Sequence, residues 1–385
     1  MTIGDVGPVE THCVTLPEPF KTLRGDVIPQ VTLAYEIYGE ISPQADNVVL
    51  VFHALTGSQH AAGINRSVPE AAELWTEEMH VGWWDGFIGP GGALDTDRYA
   101  VICVNYLGGC YGSTGPRSPH PDTGRPWGSQ FPDLALVDIV DAQVKLLDVL
   151  GIERIHAVIG GSVGGLMCAL IAARYPERVE VVIPIAAGLE VTSLQVLHNF
   201  EQMFAIVTDP DFAGGDFYGG PRPDVGLALA RMISHKTFVS LGALRERARD
   251  EIVRGEDLGG YQVGHPLESY MLHQGTKFVR RFDANTYLRI MTMWQQFDLV
   301  AEVGSSGESM VEVLSRCTGQ RWHLFTIDSD VCFYPDEQQA MMSLLRLAEV
   351  PARRFTVHSE KGHDSFLLEP ELYTALLRDA LDGGG

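Results

Sequence analysis

The chain has 385 residues, 45% of them hydrophobic, and a formal net charge of −22. This length and apolar content fit one large α/β domain with an insertion, or two domains, and exclude a disordered chain. The negative charge argues against nucleic acid or an anionic membrane surface as a partner, because both bind a basic face.

The cysteines and the first residues of the chain give further expectations. Six cysteines lie far apart and form no C-x-x-C pair near histidines, so we expect reduced thiols in a cytoplasmic protein and no metal site. The first residues lack a basic segment followed by an apolar one, which predicts no secretory signal. No apolar run approaches the roughly 18 residues that a membrane-spanning helix needs.

The first half of the chain predicts alternating strands and helices. Residues 30–39 alternate apolar and polar side chains, as a half-buried strand does. Residues 47–52 and 99–104 are continuous apolar runs, which are typical of strands covered on both faces. The elements that follow are a helix over 131–150, a strand from 155 and a strand over 179–185. This order predicts a doubly wound, mostly parallel sheet.

The α/β pattern stops after residue 186 and returns at residue 304. Residues 187–303 show helical segments and glycine-rich turns but no convincing buried strand, so we predict an all-helical cap inserted into an α/β core formed by 1–186 and 304–385. The candidate cap helices are 194–206, 225–234, 244–253, 267–282 and 286–297. The later core elements are strands at 322–327 and 354–358 and helices at 337–347 and 370–381.

A glycine-rich turn around one serine joins the strand from 155 to a helix predicted over 166–174. The pattern Gly160-x-Ser162-x-Gly164 is typical of a nucleophile elbow, a turn so tight that flanking side chains would collide. The helix after it would place N–H groups and its positive dipole end beside the serine. The alternative is a plain glycine-rich turn, but the flanking strand and helix favour a catalytic Ser162.

A serine nucleophile needs a base and a third group that orients the base. In an elbow sheet the acid comes next in the chain and the histidine last, both on loops after strands. Asp328 and Asp330 follow the second-last strand, and we prefer Asp330 because it lies further out on the loop. His363 follows the last strand, whereas His323 and His358 fall within predicted strands and are interpreted as structural.

An oxyanion hole in this architecture uses two backbone N–H groups. One belongs to the residue after the serine, here Val163, and the other to a loop after an earlier strand. The loop at 53–57 follows a buried strand and contains small residues that allow a close approach. An ordinary glycine turn is the alternative interpretation of this loop.

Several stretches of the chain carry a family resemblance when taken together. They are HALTG at 53–57, GWWDG at 82–86, LDTDRY at 94–99, NYLGGCYGSTGP at 105–116, GGSVGG at 160–165, FDANTY at 282–287, SD at 329–330 and GHD at 362–364. The combination resembles the homoserine O-acetyltransferases over about residues 30–370. The resemblance implies the α/β-hydrolase fold with a helical cap, homodimers formed through the cap, and transfer of acetyl from acetyl-CoA to L-homoserine in methionine synthesis.

The resemblance also implies roles for individual residues. Ser162 would be the acylated nucleophile, and Asp330 and His363 would complete its catalytic triad. The N–H groups of Leu55 and Val163 would form the oxyanion hole. The reaction would be ping-pong, with acetyl-CoA as a co-substrate and no tightly bound cofactor.

The amino-acid substrate is expected to bind two charged residues. The family binds it through an arginine on a cap helix and the aspartate after the catalytic histidine, which match Arg231 and Asp364. A zwitterion needs a cation for its carboxylate and an acid for its ammonium group, so the chemistry agrees. From the residues alone, Arg231 would be an ordinary helix residue and Asp364 a partner for a nearby backbone N–H.

Three features depart from the family's pattern. Phe238 stands where a tyrosine is usual, which removes a hydroxyl expected near the substrate. The segment 61–81 is several residues longer than expected and is predicted to reshape the mouth of the acyl channel. Val163 stands where the family frequently has methionine. This change is mild, because the residue acts through its backbone N–H group.

Other reactions can use the same residues. Serine as acceptor and succinyl-CoA as donor stay open, because donor choice depends on channel shape. An esterase or thioesterase would pass the acyl group to water, but Arg231 with Asp364 argues against it, since a hydrolase needs no zwitterion clamp. The complete triad argues against a non-catalytic binding protein.

Overall fold

The computed structural model describes residues 6–71, 73–249 and 257–383. Its central sheet has eight strands, which in chain order are β1 His12–Thr15, β2 Thr32–Tyr38, β3 Val48–Phe52, β4 Ala100–Val104, β5 Ile155–Gly161, β6 Val179–Ile185, β7 Arg321–Ile327 and β8 Ala352–Val357. Their order across the sheet is β1-β2-β4-β3-β5-β6-β7-β8. Strand β2 pairs antiparallel with β1 and β4, and all other neighbours are parallel, which confirms the mostly parallel sheet.

The helices of the described residues alternate with these strands or lie together between β6 and β7. They are α1 Leu136–Val149, α2 Val163–Arg174, α3 Ser193–Val207, α4 Asp224–Phe238, α5 Leu241–Arg249, α6 Pro266–Val279, α7 Ala284–Gln295, α8 Leu299–Val303, α9 Met310–Ser315, α10 Pro335–Leu347, α11 Ser365–Leu368 and α12 Pro370–Asp382. Within these residues, no helix has the length and apolar character needed to cross a membrane.

Strand β3 shows why the middle of the sheet consists of continuous apolar runs. All five of its residues are buried. Leu50 and Phe52 belong to a cluster on one face of the sheet, which α1, α2 and α10 complete. Val49 and Val51 belong to a second cluster on the other face, which α12 helps to cover. Because both faces exclude water, neither set of alternating side chains can be polar.

The segment between β6 and β7 is mainly helical, as predicted. Helix α3 begins where the Thr192 side chain accepts a hydrogen bond from the Gln195 N–H, and α4 packs between α3 and α6. The expectation of a purely helical segment is wrong in one place, because residues 257–258 and 261–262 form a small antiparallel hairpin around Gly259 and Gly260. Of the helix predicted over 244–253, residues 250–253 lie outside the described residues. The division at 187–303 stays a prediction.

Several element boundaries differ from the sequence expectations, two of them at helices of the core. The helix predicted over 131–150 begins at Leu136, because Ala135 before it has an extended backbone (φ −102°, ψ 164°). The helix predicted from 166 begins at Val163, directly after Ser162. The second difference matters for the site, since it places the helix N-terminus at the serine itself.

Candidate active site

The turn between β5 and α2 has the geometry of a nucleophile elbow. Ser162 has φ +60° and ψ −128°, a strained backbone, and its N–H donates to the Ile185 carbonyl at 3.0 Å. A Cβ on Gly160 would lie 2.6 Å from the Gly164 carbonyl, and a Cβ on Gly164 would collide with the carbonyl oxygen of Phe52. The flanking glycines are therefore required for the tight turn that presents the serine.

The loops after β7 and β8 bring an acid and a histidine together. The His363 Nδ1–H donates to Asp330 Oδ2 at 2.7 Å, and both side chains are buried. The other oxygen, Asp330 Oδ1, accepts the N–H groups of Cys332 at 2.7 Å and Phe333 at 2.9 Å. These bonds fix the carboxylate, so it can hold the imidazole in one orientation.

The competing acid, Asp328, has a different partner. Its Oδ2 lies 2.8 Å from His358 Nδ1, and the His358 side chain is 81% exposed. His358 follows the end of β8, so its placement within a strand was wrong, whereas His323 lies inside β7 and is buried. Asp328 and His358 thus form a surface pair on the outer side of the loop.

The environment of His363 suits a general base. Burial lowers its pKa, but the charge of Asp330, the hydrogen bond to it and the charges of Asp364 and Glu337 together raise the pKa by more, so the net shift is upward. With Nδ1–H bound to the carboxylate, Nε2 carries the free lone pair. This Nε2 atom is buried without a hydrogen-bond partner among the described residues, and His363 and Ser162 line the same cavity.

The loop after β3 is held on both sides of Leu55. The Tyr106 hydroxyl donates to the His53 carbonyl, and the two rings stack with centroids 3.5 Å apart. After Leu55, the Thr56 carbonyl accepts a hydrogen bond from Arg281 Nη1 at 3.2 Å. The sequence did not predict these two hydrogen bonds. Tyr106 lies within the motif at 105–116, and Arg281 directly precedes the motif at 282–287.

Five of the seven predicted site residues line one cavity of about 270 Å³, whereas Asp330 and Val163 are not part of its wall. Ser162, Leu55, Arg231, His363 and Asp364 all line it, although they come from widely separated parts of the chain. Val163 follows Ser162 directly as the first residue of α2 and is fully buried. Glu78, Met79 and Val81 of the long segment 61–81 line the cavity, and the effect of this segment on an acyl channel stays a prediction.

Arg231 extends from α4 into this cavity between aromatic rings. Its guanidinium carbon lies 5.2 Å from the ring centroid of Phe278 and 5.6 Å from that of Phe238. Burial, followed by the nearby charge of Arg281, lowers the pKa of Arg231, and the charge of Asp364 opposes this. The group is still a cation at neutral pH, because the ordinary pKa of arginine is above 12.

Phe238 places an apolar ring where the family resemblance implies a tyrosine. Its ring centroid lies 5.9 Å from that of His363, so the position faces the reaction centre. The end of α4 is also tied to the histidine loop, because the Ser240 N–H donates to the Lys361 carbonyl at 3.2 Å. Helix α4 and the histidine are therefore positioned together.

The sheet order and the placement of the serine, acid and histidine after β5, β7 and β8 define an α/β-hydrolase fold. The family model for the alpha/beta hydrolase fold matches residues 47–370 of the chain. In this fold, polar groups at the carboxyl ends of parallel strands form the site, which is where all three residues lie here.

Individual known proteins match the whole chain. It is 37% identical to a homoserine O-acetyltransferase of Deferribacter desulfuricans, over 99% of this chain and 97% of that one. It is 38% identical to a homoserine O-succinyltransferase of Laribacter hongkongensis, over 98% and 96%. The crystal structure of esterase E22 superimposes with a TM-score of 0.85 at 26% identity, over 97% of this chain and 100% of that one. The chain belongs to the homoserine O-acetyltransferase family of α/β-hydrolase-fold acyltransferases.

Proposed function

We propose that this protein transfers an acetyl group from acetyl-CoA to the side-chain hydroxyl of L-homoserine, a step of methionine synthesis. The observation that carries the proposal is the presence of Arg231 and Asp364 in the same cavity as Ser162 and His363. A cation and an acid beside a serine nucleophile fit an amino-acid acceptor, whose carboxylate and ammonium group need opposite charges. L-Serine is the alternative acceptor, and the ratio of the two kcat/KM values measures the preference.

The first half-reaction acylates the serine. His363 Nε2 takes the Ser162 hydroxyl proton as the oxygen attacks the thioester carbonyl. The resulting oxyanion accepts hydrogen bonds from the N–H groups of Leu55 and Val163, each contributing about 3 kcal/mol. The C–S bond then breaks, and the coenzyme A thiolate leaves with the proton from His363.

The second half-reaction passes the acyl group to the amino acid. Arg231 binds the carboxylate of the acceptor and Asp364 its ammonium group, which aligns its hydroxyl with the acyl carbonyl. His363 takes the hydroxyl proton during attack and returns it to Ser162 as the ester leaves. The bound hydroxyl competes with water through its high effective concentration, and no tightly bound cofactor takes part.

The acceptor role of Arg231 predicts a selective defect. In Arg231→Met, kcat/KM for homoserine should fall by roughly 100-fold or more, because removing one partner of a desolvated charge pair costs about 3 kcal/mol. The burst of coenzyme A release in the first turnover should persist, since acylation does not use Arg231. Rapid-mixing measurement of free thiol separates the two effects.

The matched control is Arg280→Met, which removes the same charge from an exposed position near the end of α6. It should change neither the burst nor the steady-state rate. Loss of the burst in a folded Arg231→Met protein would show that this arginine does not act on the acceptor.

A hydrolase is the second candidate, and the fold match with an esterase structure favours it. Such an enzyme would use the same serine and histidine with water as the acceptor. Coenzyme A release and ester formation are compared with and without homoserine. Thiol release that ignores homoserine and yields free acetate would refute the transferase proposal.

We further propose that two copies of the chain associate through α3 and α4. Helix α3 exposes an apolar row along one side, consisting of Leu194, Leu197, Phe200, Phe204 and Val207. Helix α4, which packs on α3, adds exposed Val225 and Leu229. An apolar surface of this extent is typical of a protein–protein contact, and a second copy agrees with the homodimers that the family resemblance implies.

Light scattering during gel filtration tests this contact. The native chain should elute with twice its 42.2 kDa mass, and Phe200→Asp with Phe204→Asp should give the monomer, because two carboxylates would be buried without partners. Leu241→Asp introduces one carboxylate at an exposed leucine of α5, away from this surface, and should leave the dimer intact. A monomeric native protein would contradict the proposal.

A cytoplasmic location belongs to this proposal. All six cysteines are free thiols in the structure, and five of them are buried. Unpaired thiols of this kind are usual in a reducing compartment.

A further inference from the structure

The wall of the active-site cavity contains a second arginine that the proposed acceptor clamp does not use. Arg281 lies just after α6, and its Nε is 3.3 Å from Glu78 Oε1. The other oxygen of Glu78 pairs with Lys277. The side chains of Arg281 and Glu78 are only 18% and 26% exposed, so this pair is partly shielded from water.

This pair lies beside the part of the chain that would hold the acyl carbonyl. Arg281 Nη1 donates to the Thr56 carbonyl at 3.2 Å, and Thr56 directly follows the proposed oxyanion donor Leu55. Glu78 belongs to the long segment 61–81, and it lines the same cavity as Ser162. The guanidinium is therefore near the acyl group of a donor bound at the serine.

Two cations and two carboxylates contribute to the charge of the cavity wall. Among the described residues that line it, the arginines and carboxylates are Glu78, Arg231, Arg281 and Asp364. Arg231 and Asp364 are assigned to the carboxylate and ammonium group of the acceptor. The charge of Arg281 is near enough to lower the pKa of Arg231, but its hydrogen bond to the Thr56 carbonyl places Arg281 beside the proposed oxyanion donor. The Glu78 carboxylate already pairs with this guanidinium.

We infer that Glu78 selects against acyl donors with a terminal carboxylate. A succinyl group carries its carboxylate three carbon–carbon bonds from the thioester carbonyl, and it needs a cation there. Glu78 engages Arg281 and repels a second carboxylate, whereas an uncharged acetyl group meets neither obstacle. This inference rests on the proposed acyl transfer and adds the residue that sets the preference for an uncharged acyl donor.

The test replaces Glu78 with its uncharged isostere. Coenzyme A release is measured with acetyl-CoA and with succinyl-CoA for the native enzyme and for Glu78→Gln. The ratio of kcat/KM for succinyl-CoA to that for acetyl-CoA should rise at least roughly ten-fold, because Arg281 becomes available for a charge-assisted hydrogen bond. The matched control Glu77→Gln removes the same charge from the neighbouring exposed residue and should leave the ratio unchanged.

A double variant shows whether the gain acts through Arg281. In the double variant Glu78→Gln with Arg281→Met, the rise in the succinyl-CoA to acetyl-CoA ratio of kcat/KM should disappear. A rise that persists would show that Glu78 does not act through Arg281. An unchanged ratio in folded Glu78→Gln, or a native enzyme that prefers succinyl-CoA, would overturn the inference. Release of coenzyme A without transfer to homoserine would instead refute the proposed acceptor, since donor selection belongs to the first half-reaction.

Discussion

Ser162→Ala should lower the rate of acyl transfer by about 10⁴-fold or more. The change removes the Ser162 oxygen that forms the acyl-enzyme. The remaining groups can only assist a slow direct attack of the acceptor hydroxyl on the thioester. The measurement is coenzyme A release together with intact-mass spectrometry after mixing with acetyl-CoA alone. The native protein should gain one acetyl group on the peptide that contains Ser162, and the variant should gain none.

The control for this change is Ser305→Ala, at an exposed position between α8 and α9. It should keep both the rate and the acetyl adduct. Ser162→Ala should melt close to the native temperature, since Gly160 and Gly164 still form the turn. An acetyl adduct that survives in Ser162→Ala would show that the nucleophile lies elsewhere.

Asp330→Asn should lower kcat by about 10⁴-fold, as expected when the orienting acid of a triad becomes an amide. The oxygen of the new amide can still accept from the Cys332 and Phe333 N–H groups, so its NH₂ would face His363. An NH₂ group facing Nδ1 favours the histidine tautomer that carries its proton on Nε2. In that tautomer Nε2 has no lone pair with which to accept the serine proton. Steady-state rates at saturating substrates measure the effect.

Asp328→Asn is the matched control, because it removes a carboxylate two residues earlier on the same loop. Its partner is the exposed His358, so the rate should stay within about two-fold. Equal losses in the two variants would contradict the assignment of Asp330.

The pH profile gives a second measurement of the same interaction. His363 must be neutral to accept a proton, so kcat/KM should fall as the pH decreases through its pKa, which is raised above the ordinary value of histidine by Asp330 and its neighbours. Without the Asp330 charge that pKa should decrease, and the acid limb of Asp330→Asn should move to lower pH.

Local patterns were sufficient where the structure depends on local geometry or on complete burial. The runs at 47–52 and 179–185 became β3 and β6, because strands covered on both faces tolerate few polar side chains. The glycines around Ser162 predicted the elbow because a tight turn leaves no room for side chains at the positions next to the serine. The hairpin at 257–262 was missed because two-residue strands carry no periodic signal.

Local patterns did not predict which side chains of the candidate site face each other. Asp328 and Asp330 both follow β7, and only the packed loops show that Asp330 faces His363 while Asp328 turns to the surface. Phe238 was recognised as a departure through the family resemblance, but its distance from His363 is a property of the packed helix α4.

The sequence by itself determined most of the sheet and the elbow, because both follow from burial or from steric limits between residues close in the chain. The elbow architecture in turn predicted the order of serine, acid and histidine. Only the tertiary structure decided which charges meet. Arg281 binds the Thr56 carbonyl 225 residues away and pairs with Glu78 from the long segment. Electrostatic pairing depends on distances through space, and no spacing along the chain encodes those distances.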